Sequence, residues 1–360
     1  MDKAALGRRV TSDSKKARAR ALGLRYVLAE SLPIRRRRCG RGFVYVGAEG
    51  PVTDAATLAR IRSLAIPPAY TSVRISDDPD AHLQATGVDD AGRLQYRYHA
   101  GWEVVREREK LGRLAVLSRS ISRIRARLAR DLEAPEGSKT RALAAVVLVV
   151  DETHIRIGGE DYVHSGRSRG AATLLKGQVR VEGGDSVRLS FRGKGGQPFE
   201  CAVASPALAR AIGKLQDIPG KRLFQYRDAR GRVCRVNSAD VNAYLRRVAD
   251  APVTAKDFRA LAANALAGVG LARLEPAGTA ALRRRQLAVV IREVAVMLGN
   301  TPTVCRKSYV HDRLVNAFLC GRLPRLYARA RATGRQRKGE ALVGALFTER
   351  GLGPRIGRPR

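Results

Sequence analysis

The sequence predicts an α+β protein in two main parts: a β-rich N-terminal domain over residues 24–103, and a mainly α-helical domain over residues 104–330 that holds a small antiparallel sheet. Three observations predict this. The 360 residues exceed the roughly 100–200 that one domain usually needs. Short alternating segments crowd the first hundred positions. Beyond them, apolar residues recur at steps of three and four, the period of a helix with one buried face.

Residues 1–23, rich in Lys, Arg and Ala, read as a basic arm. Gly42–Val46 alternates ahead of the turn Gly47-Ala48-Glu49-Gly50, and Val73–Ile75 and Leu94–Tyr98 read as further strands. Ala55–Ala65 reads as a small helix that stops before Pro67-Pro68. Leu111, Leu114, Leu117, Ile121, Ile124 and Leu128 then form the apolar stripe of a helix whose other faces carry Arg. Pro135-Glu136-Gly137 interrupts it, and Thr140–Val150 continues as a more apolar, better buried helix. Val179–Val181, the turn at 182–185 and Val187–Phe191 predict a hairpin. A second turn at Gly193–Gly196 leads to Pro198–Cys201. After Ala204 the pattern is mostly helical. Leu287, Val290, Ile291, Val294 and Met297 make a stripe closed by Gly299-Asn300, and Thr301-Pro302 supplies the cap and first residue of a helix carrying Tyr309. Residues 331–360 read as a flexible or peripheral basic tail whose one apolar run is Ala341–Phe347.

Hydrophobic content of 44% supports a buried core, and 68 Lys and Arg against 33 Asp and Glu leave a formal charge of +35. A surface so positive calls for a dense polyanion, and nucleic acid is the expected partner. No run approaches the roughly 20 apolar residues of a membrane span, and the N-terminus lacks the apolar region of a secretory signal. A cytoplasmic, nucleoid-associated chain is expected, with no membrane partner. The five cysteines form no CxxC pair and the five histidines no HExxH pattern, so no metal site is expected. No Gly-Lys pair is followed by Ser or Thr, which argues against a phosphate-binding loop of the ATPase kind and against any nucleotide cofactor.

Taken singly, the polar residues with chemical potential have ordinary readings: Tyr309 packs, Lys194 is a turn residue, Asn300 caps a helix, and Arg156 and Arg259 form ion pairs or hold phosphate. Their surroundings change that. Ala65–Tyr70 (AIPPAY), Gly92–His99 (GRLQYRYH), Ile155–Tyr162 (IRIGGEDY), Phe191–Gly196 (FRGKGG), Lys256–Arg259 (KDFR) and Leu298–Tyr309 (LGNTPTVCRKSY) follow in order over most of the chain. In this order and spacing they resemble the small type IB DNA topoisomerases of poxviral and bacterial kind.

The resemblance implies the catalytic core that such enzymes share with tyrosine recombinases. It implies Tyr309 as nucleophile, Arg156 and Arg259 as the two arginines around one phosphodiester, Lys194 as general acid and Asn300 as a further donor. Poxviral members carry His at the position of Asn300, whereas bacterial relatives resemble this chain. The chemistry suits the residue types. An ordinary tyrosine hydroxyl, with a pKa of about 10, is a weak nucleophile at neutral pH. Guanidinium groups stay charged and match two phosphate oxygens, so they stabilise both the phenolate and the pentacoordinate phosphorus. The resemblance further implies a 3′-phosphotyrosyl link, which conserves the energy of the broken bond and needs neither ATP nor metal.

Gln95, Tyr96 and Tyr98 match a strand that faces duplex DNA in the family, and alternation puts both tyrosines on one face. Tyr162 matches a further DNA-contacting tyrosine; Gly159 stands where the poxviral pattern has lysine. The Arg35–Arg38 run and the Arg-rich face of the 106–130 helix are expected to hold phosphates without reading bases. The expected activity is relaxation of positive and negative supercoils by a monomer clamping duplex DNA, preferentially supercoiled. Two rivals remain: a tyrosine site-specific recombinase, which synapses two duplexes, and a non-catalytic architectural DNA-binding protein.

Overall fold

The computed structural model describes residues 13, 15–160, 163 and 168–348. Contacts between Cα atoms divide the chain into two units, Met1–Glu109 and Lys110–Arg360.

In the first unit, β1 (Ile34–Cys39), β2 (Gly42–Gly47), β3 (Gly50–Pro51), β4 (Thr71–Ile75), β5 (Leu83–Val88) and β6 (Leu94–Tyr98) form one antiparallel sheet in the order β3-β2-β1-β4-β5-β6. Helix α1 (Ala55–Ser63) lies between β3 and β4 in sequence, opened by Asp54, whose carboxylate accepts from Thr57 N at 2.7 Å. It buries Ile61 with Ile34, Val73, Ile75 and Ala85 of the sheet. The basic arm is helical over residues 15–21, and Ala19 is buried beside Leu24 and Trp102.

The Arg35–Arg38 run is not a uniform exposed face. Strand alternation separates its side chains, and Arg36 is spent internally. Its guanidinium donates to Pro67 O at 3.1 Å and to Tyr70 O at 2.5 Å and lies over the Phe43 ring, 4.1 Å from the centroid. Arg36 thus fastens the Ala65–Tyr70 segment to β1, while Arg35, Arg37 and Arg38 remain exposed.

The second unit opens within α2 (Ala100–Asp131), whose stripe Leu114, Leu117, Ile121, Ile124 and Leu128 is buried as the spacing predicts. It packs into one core with α3 (Lys139–Thr153) and the three-stranded antiparallel sheet β7 (Val179–Glu182), β8 (Ser186–Arg192) and β9 (Pro198–Ala204). Then come α4 (Pro206–Gln216), a short hairpin of β10 (Gln225–Arg227) and β11 (Val233–Arg235) that the sequence pattern did not reveal, and seven helices: α5 (Ser238–Ala249), α6 (Ala255–Ala272), α7 (Ala280–Met297), α8 (Pro302–Ser308), α9 (Asp312–Leu319), α10 (Leu323–Arg329) and α11 (Lys338–Thr348).

Two expectations need correction here. Met297 is not on the buried stripe of α7: it is 52% exposed, and Leu298 takes the buried place as the helix ends. Nor is the stretch from Arg331 a flexible or peripheral tail throughout. Leu342, Val343, Leu346 and Phe347 of α11 are buried in the main core. Burial of so much apolar surface outweighs the basic composition of the flanks.

Candidate active site

Arg156 stands two residues beyond α3, which ends at His154 in the left-handed region with φ 57°. Its backbone is fixed by a close crossing. Arg156 O accepts from Ala171 N at 2.8 Å, and Ile157 O accepts from Ala172 N at 2.8 Å. A Cβ on Gly170 would come within 2.3 Å of Arg156 O, and one on Gly158, at φ +76°, within 2.9 Å of Gly170. Only glycine fits at both positions, which gives the Ile-Arg-Ile-Gly segment a steric reason.

Arg259 lies in the first turns of α6. Asp257 closes that end, its carboxylate accepting from Thr254 N at 2.9 Å and from Thr254 Oγ1 at 2.7 Å, and it pairs with Arg113 at 3.3 Å. The acid of the Lys-Asp-Phe-Arg segment is therefore structural. Arg259 is buried and donates through Nη1 to His154 O and through Nη2 to Leu298 O at 2.9 Å.

Asn300 is placed by the end of α7. Gly299, at φ 57°, donates to Val296 O at 3.0 Å, and Asn300 N donates to Ala295 O at 2.9 Å. This is the Schellman pair of bonds, which a left-handed glycine permits. The Asn300 side chain accepts at Oδ1 from Arg156 Nη2 at 2.5 Å. Thr301 then caps α8, accepting at Oγ1 from Val304 N at 3.3 Å, and α8 ends at Tyr309.

Tyr309 is 8% exposed, and the Arg259 guanidinium carbon sits 5.3 Å from its ring centroid. Burial raises the pKa of its hydroxyl, but Arg259 above all, with Arg156 and Lys256, outweighs burial and lowers it below the ordinary tyrosine value. Burial pushes the His154 imidazole down to about 4, so it adds no charge beside Arg259 at neutral pH. An open cleft lined by Arg156, Arg169, Gly193, Gln197, Arg259 and Gly299 adjoins these groups, and no carboxylate lines it among the described residues.

Lys194 begins the turn between β8 and β9, where Gly195 and Gly196 both have φ 73° and Gly193 N donates to Gln197 O at 2.8 Å. The backbone on either side of Lys194 thus borders the cleft. Arg156 and Arg259 line it, with Asn300 bonded to Arg156 and Tyr309 lying against Arg259; the Lys194 side chain and Tyr162 lie outside the described residues.

Residues 99–318, more than half of the chain, match the family of the eukaryotic DNA topoisomerase I catalytic core, and residues 42–89 match the N-terminal domain of bacterial DNA topoisomerase IB. A curated relative, DNA topoisomerase 1B of Acanthamoeba polyphaga mimivirus, is 31% identical over 293 residues, covering 79% of this chain and 87% of the relative. The chain belongs to the type IB DNA topoisomerases. It is accordingly an isomerase that acts on DNA.

In this topoisomerase, Tyr96 and Tyr98 share one face of β6, their rings stacked with centroids 6.0 Å apart, and Arg106 lies over Tyr98 at 4.7 Å. Gln95 alternates to the other face and donates to Asp89 at 2.8 Å. Asp89 is held down to about 2, with Arg93 the leading cause.

Sequence reasoning missed three residues beside this candidate site. Asn264 is fully buried on α6; its amide donates to Tyr309 O at 2.8 Å and its carbonyl accepts from His311 N at 2.9 Å. Its signal was a lone polar residue in the run Leu261–Ala267, five positions after Arg259. Arg169 lines the cleft, reached by the pairing of its N with Arg192 O at 2.9 Å, and Lys256 acts on Tyr309 through its charge. No local pattern marked Arg169.

Proposed function

We propose that this topoisomerase relaxes positive and negative supercoils by cutting one strand through Tyr309, forming a 3′-phosphotyrosyl intermediate, and resealing it without ATP or metal. The observation that carries this reading is a pair of buried donors. Arg259 Nε and Asn300 Nδ2 have no hydrogen-bond partner among the described residues. Buried donors are costly to leave unmade, by about 1–3 kcal/mol each, and both belong to the cluster around the Tyr309 ring. A phosphodiester, whose two non-bridging oxygens share one negative charge, accepts from both donors and offsets part of the arginines' charge.

The steps follow from the chemistry of the set. The Tyr309 hydroxyl gives its proton to water, and its oxygen bonds to phosphorus while the bond from phosphorus to the 5′-oxygen breaks. Arg156 and Arg259 balance the charge that grows on the non-bridging oxygens, and Asn300 Nδ2 donates to one of them. Lys194 hands a proton to the departing 5′-oxygen. The free 5′ end rotates, and the reverse attack reseals the strand. The charge of +35 supports sequence-independent hold on duplex DNA; on this reading a single cytoplasmic chain clamps the duplex, and torsion in a supercoiled substrate drives rotation. Exposed Tyr96 and half-buried Tyr98, which packs beside Trp102, share one strand face and are the proposed duplex contacts of the first unit.

The test is relaxation of negatively and positively supercoiled plasmid in EDTA without ATP, beside Tyr309→Phe. Relaxation of both signs by the wild type, with none by the variant and DNA binding retained, is the expected result. Relaxation by Tyr309→Phe overturns the nucleophile. Strand exchange between two DNA molecules turns the reading to a recombinase, and tight binding without any adduct turns it to an architectural protein.

A further inference from the structure

The C-terminal segment is joined to the site by more than packing. Between residues 334 and 347 it crosses three elements in turn. On α2, Arg335 N donates to Ser122 Oγ at 2.9 Å, Gln336 donates to Ser118 O at 2.8 Å, and Ser118 Oγ donates to Glu340 O at 2.6 Å. A Cβ on Gly344 would lie 2.6 Å from Ser118 Oγ, so the contact is close. Glu340 enters a buried ion network: it accepts from Arg125 at 2.6 and 2.9 Å, and Arg125 also grips Asp151 of α3 at 2.7 and 2.9 Å. On α6, the helix of Arg259 and Asn264, Leu342 packs against Gly268 and Gly339 lies over Ala265.

The segment ends against the chain that leaves Tyr309. The Phe347 ring meets the His311 ring with centroids 5.3 Å apart, and Phe347 O accepts from Arg313 Nη1 at 3.3 Å. His311 is two residues past Tyr309. Its Nδ1 accepts from Arg313 N at 3.0 Å, which fixes the ring at the start of α9, and its own N donates to Asn264. The turn 309–311 is thus held from α6 by the Asn264 amide and from α11 by the Phe347 ring.

We infer that Phe347 is a positioning residue for the nucleophile: α11 straps α2, α3 and α6 together and presses His311 so that Tyr309 faces Arg259. The inference rests on the reading of Tyr309 as nucleophile. The turn is also held by Tyr309 N and Val310 N, which both donate to Cys305 O at 3.1 Å, and by Arg306, which donates to Val310 O at 3.2 Å. Phe347 adds the restraint on the His311 side, and a displacement of about 1 Å at a reacting group costs on the order of a hundredfold in rate. Residues far along the chain from the chemistry therefore set its rate without touching DNA.

The experiment is single-turnover formation of the covalent adduct on a nicked or single-cut duplex, with saturating full-length protein and with non-covalent binding measured alongside. Wild type and Tyr309→Phe are the controls: no adduct with wild type is failure of the nucleophile reading, not of this one. With adduct from wild type, Phe347→Ala and His311→Ala each slow cleavage at least tenfold while binding stays within twofold. The double variant is no slower than the slower single one, because the two side chains act through one contact. Should Phe347→Ala not fold, Phe347→Leu carries the test, since it keeps apolar volume and removes only the ring; it slows cleavage at least threefold at unchanged binding. Cleavage by folded variants within twofold of wild type, or losses that multiply in the double variant, overturns the inference.

Discussion

Arg156 holds Asn300 by its oxygen: the guanidinium donates to Asn300 Oδ1 at 2.5 Å, and the amide nitrogen is a buried donor with no partner among the described residues. One contact therefore sets which end of the amide is offered to the phosphate. On the proposed reading, neutral Asn300 offers the phosphate one hydrogen bond and no charge.

The consequence is an order among substitutions. Asn300→Ala removes one donor to a developing charge, a loss of about 10²–10³ in rate for groups of this kind when fully engaged. Asn300→Asp keeps the acceptor for Arg156 but turns an anionic oxygen toward the phosphate. Single-turnover cleavage is expected to fall further for Asp than for Ala, although Asp is the closer isostere. Equal rates for the two variants remove the amide nitrogen from the chemistry.

Asn264 carries the second prediction. Its amide bonds three backbone groups, Ala260 O at 2.7 Å, Tyr309 O at 2.8 Å and His311 N at 2.9 Å. Asn264→Ala strands the last two, at about 1–3 kcal/mol for each buried group left unpaired. Adduct formation is expected to slow at least tenfold with DNA affinity unchanged. Asn264→Asp keeps only the acceptor and so restores the His311 bond but not the Tyr309 bond, giving an intermediate rate. Loss of DNA affinity in step with rate contradicts a local role.

Arg156, Arg259, Asn300 and Tyr309 were singled out in the sequence only through the ordered segments that resemble the family, and the structure gives neighbours in those segments steric or capping duties: Gly158 at a crossing, Asp257 at a helix start, Gly299 at a helix end. The hairpin around Lys194 and the stripe of α2 were legible from period alone. Asn264 was not, because one polar residue in an Ala-rich helix has no periodic signature and its partners lie 45 and 47 positions away. Arg36 was misjudged for a related reason. A run of like charges looks uniform in one dimension, while a strand sends alternate members to opposite faces and a guanidinium can be used up by nearby carbonyls. The docked α11 was obscured by its basic surroundings, since charge on exposed flanks says little about an apolar run of a few residues between them.

The electrostatics of Tyr309 predict a pH profile. Burial raises its pKa, yet Arg259, Arg156 and Lys256 together bring it below the ordinary tyrosine value. The phenolate is therefore reached at lower pH than for a free tyrosine. Cleavage is expected to rise with pH and level off below pH 10, with Lys256→Ala moving the rise to higher pH because one cation that favours the phenolate is gone. A profile unmoved by Lys256→Ala separates that lysine from the nucleophile.

Lys194 is tested by leaving-group chemistry. Lys194→Ala is expected to slow cleavage by roughly 10²–10⁴, the range for general acids. A 5′-bridging phosphorothiolate, whose sulfur departs without a proton, is expected to restore most of that rate. Equal slowing on both substrates assigns Lys194 another task, such as charge stabilisation on a non-bridging oxygen.

The buried network under α11 predicts a stability effect of defined pH sign. Burial disfavours the charged Arg125, but its hydrogen bonds to Asp151 and Glu340 outweigh burial and raise its pKa, so it stays charged throughout the accessible range. Arg125→Leu leaves the Asp151 and Glu340 carboxylates buried without their shared cation. Breaking such a pair costs about 3–5 kcal/mol, or roughly 10 °C in Tm for a unit of this size. Acid relieves the negative charge that Arg125→Leu leaves unpaired in the core, whereas in the wild type Arg125 already balances it. The gap in Tm between wild type and Arg125→Leu is therefore expected to be smaller at pH 5 than at pH 8. A gap that is constant or widens toward acid shows that the two carboxylates do not carry their charge against this core.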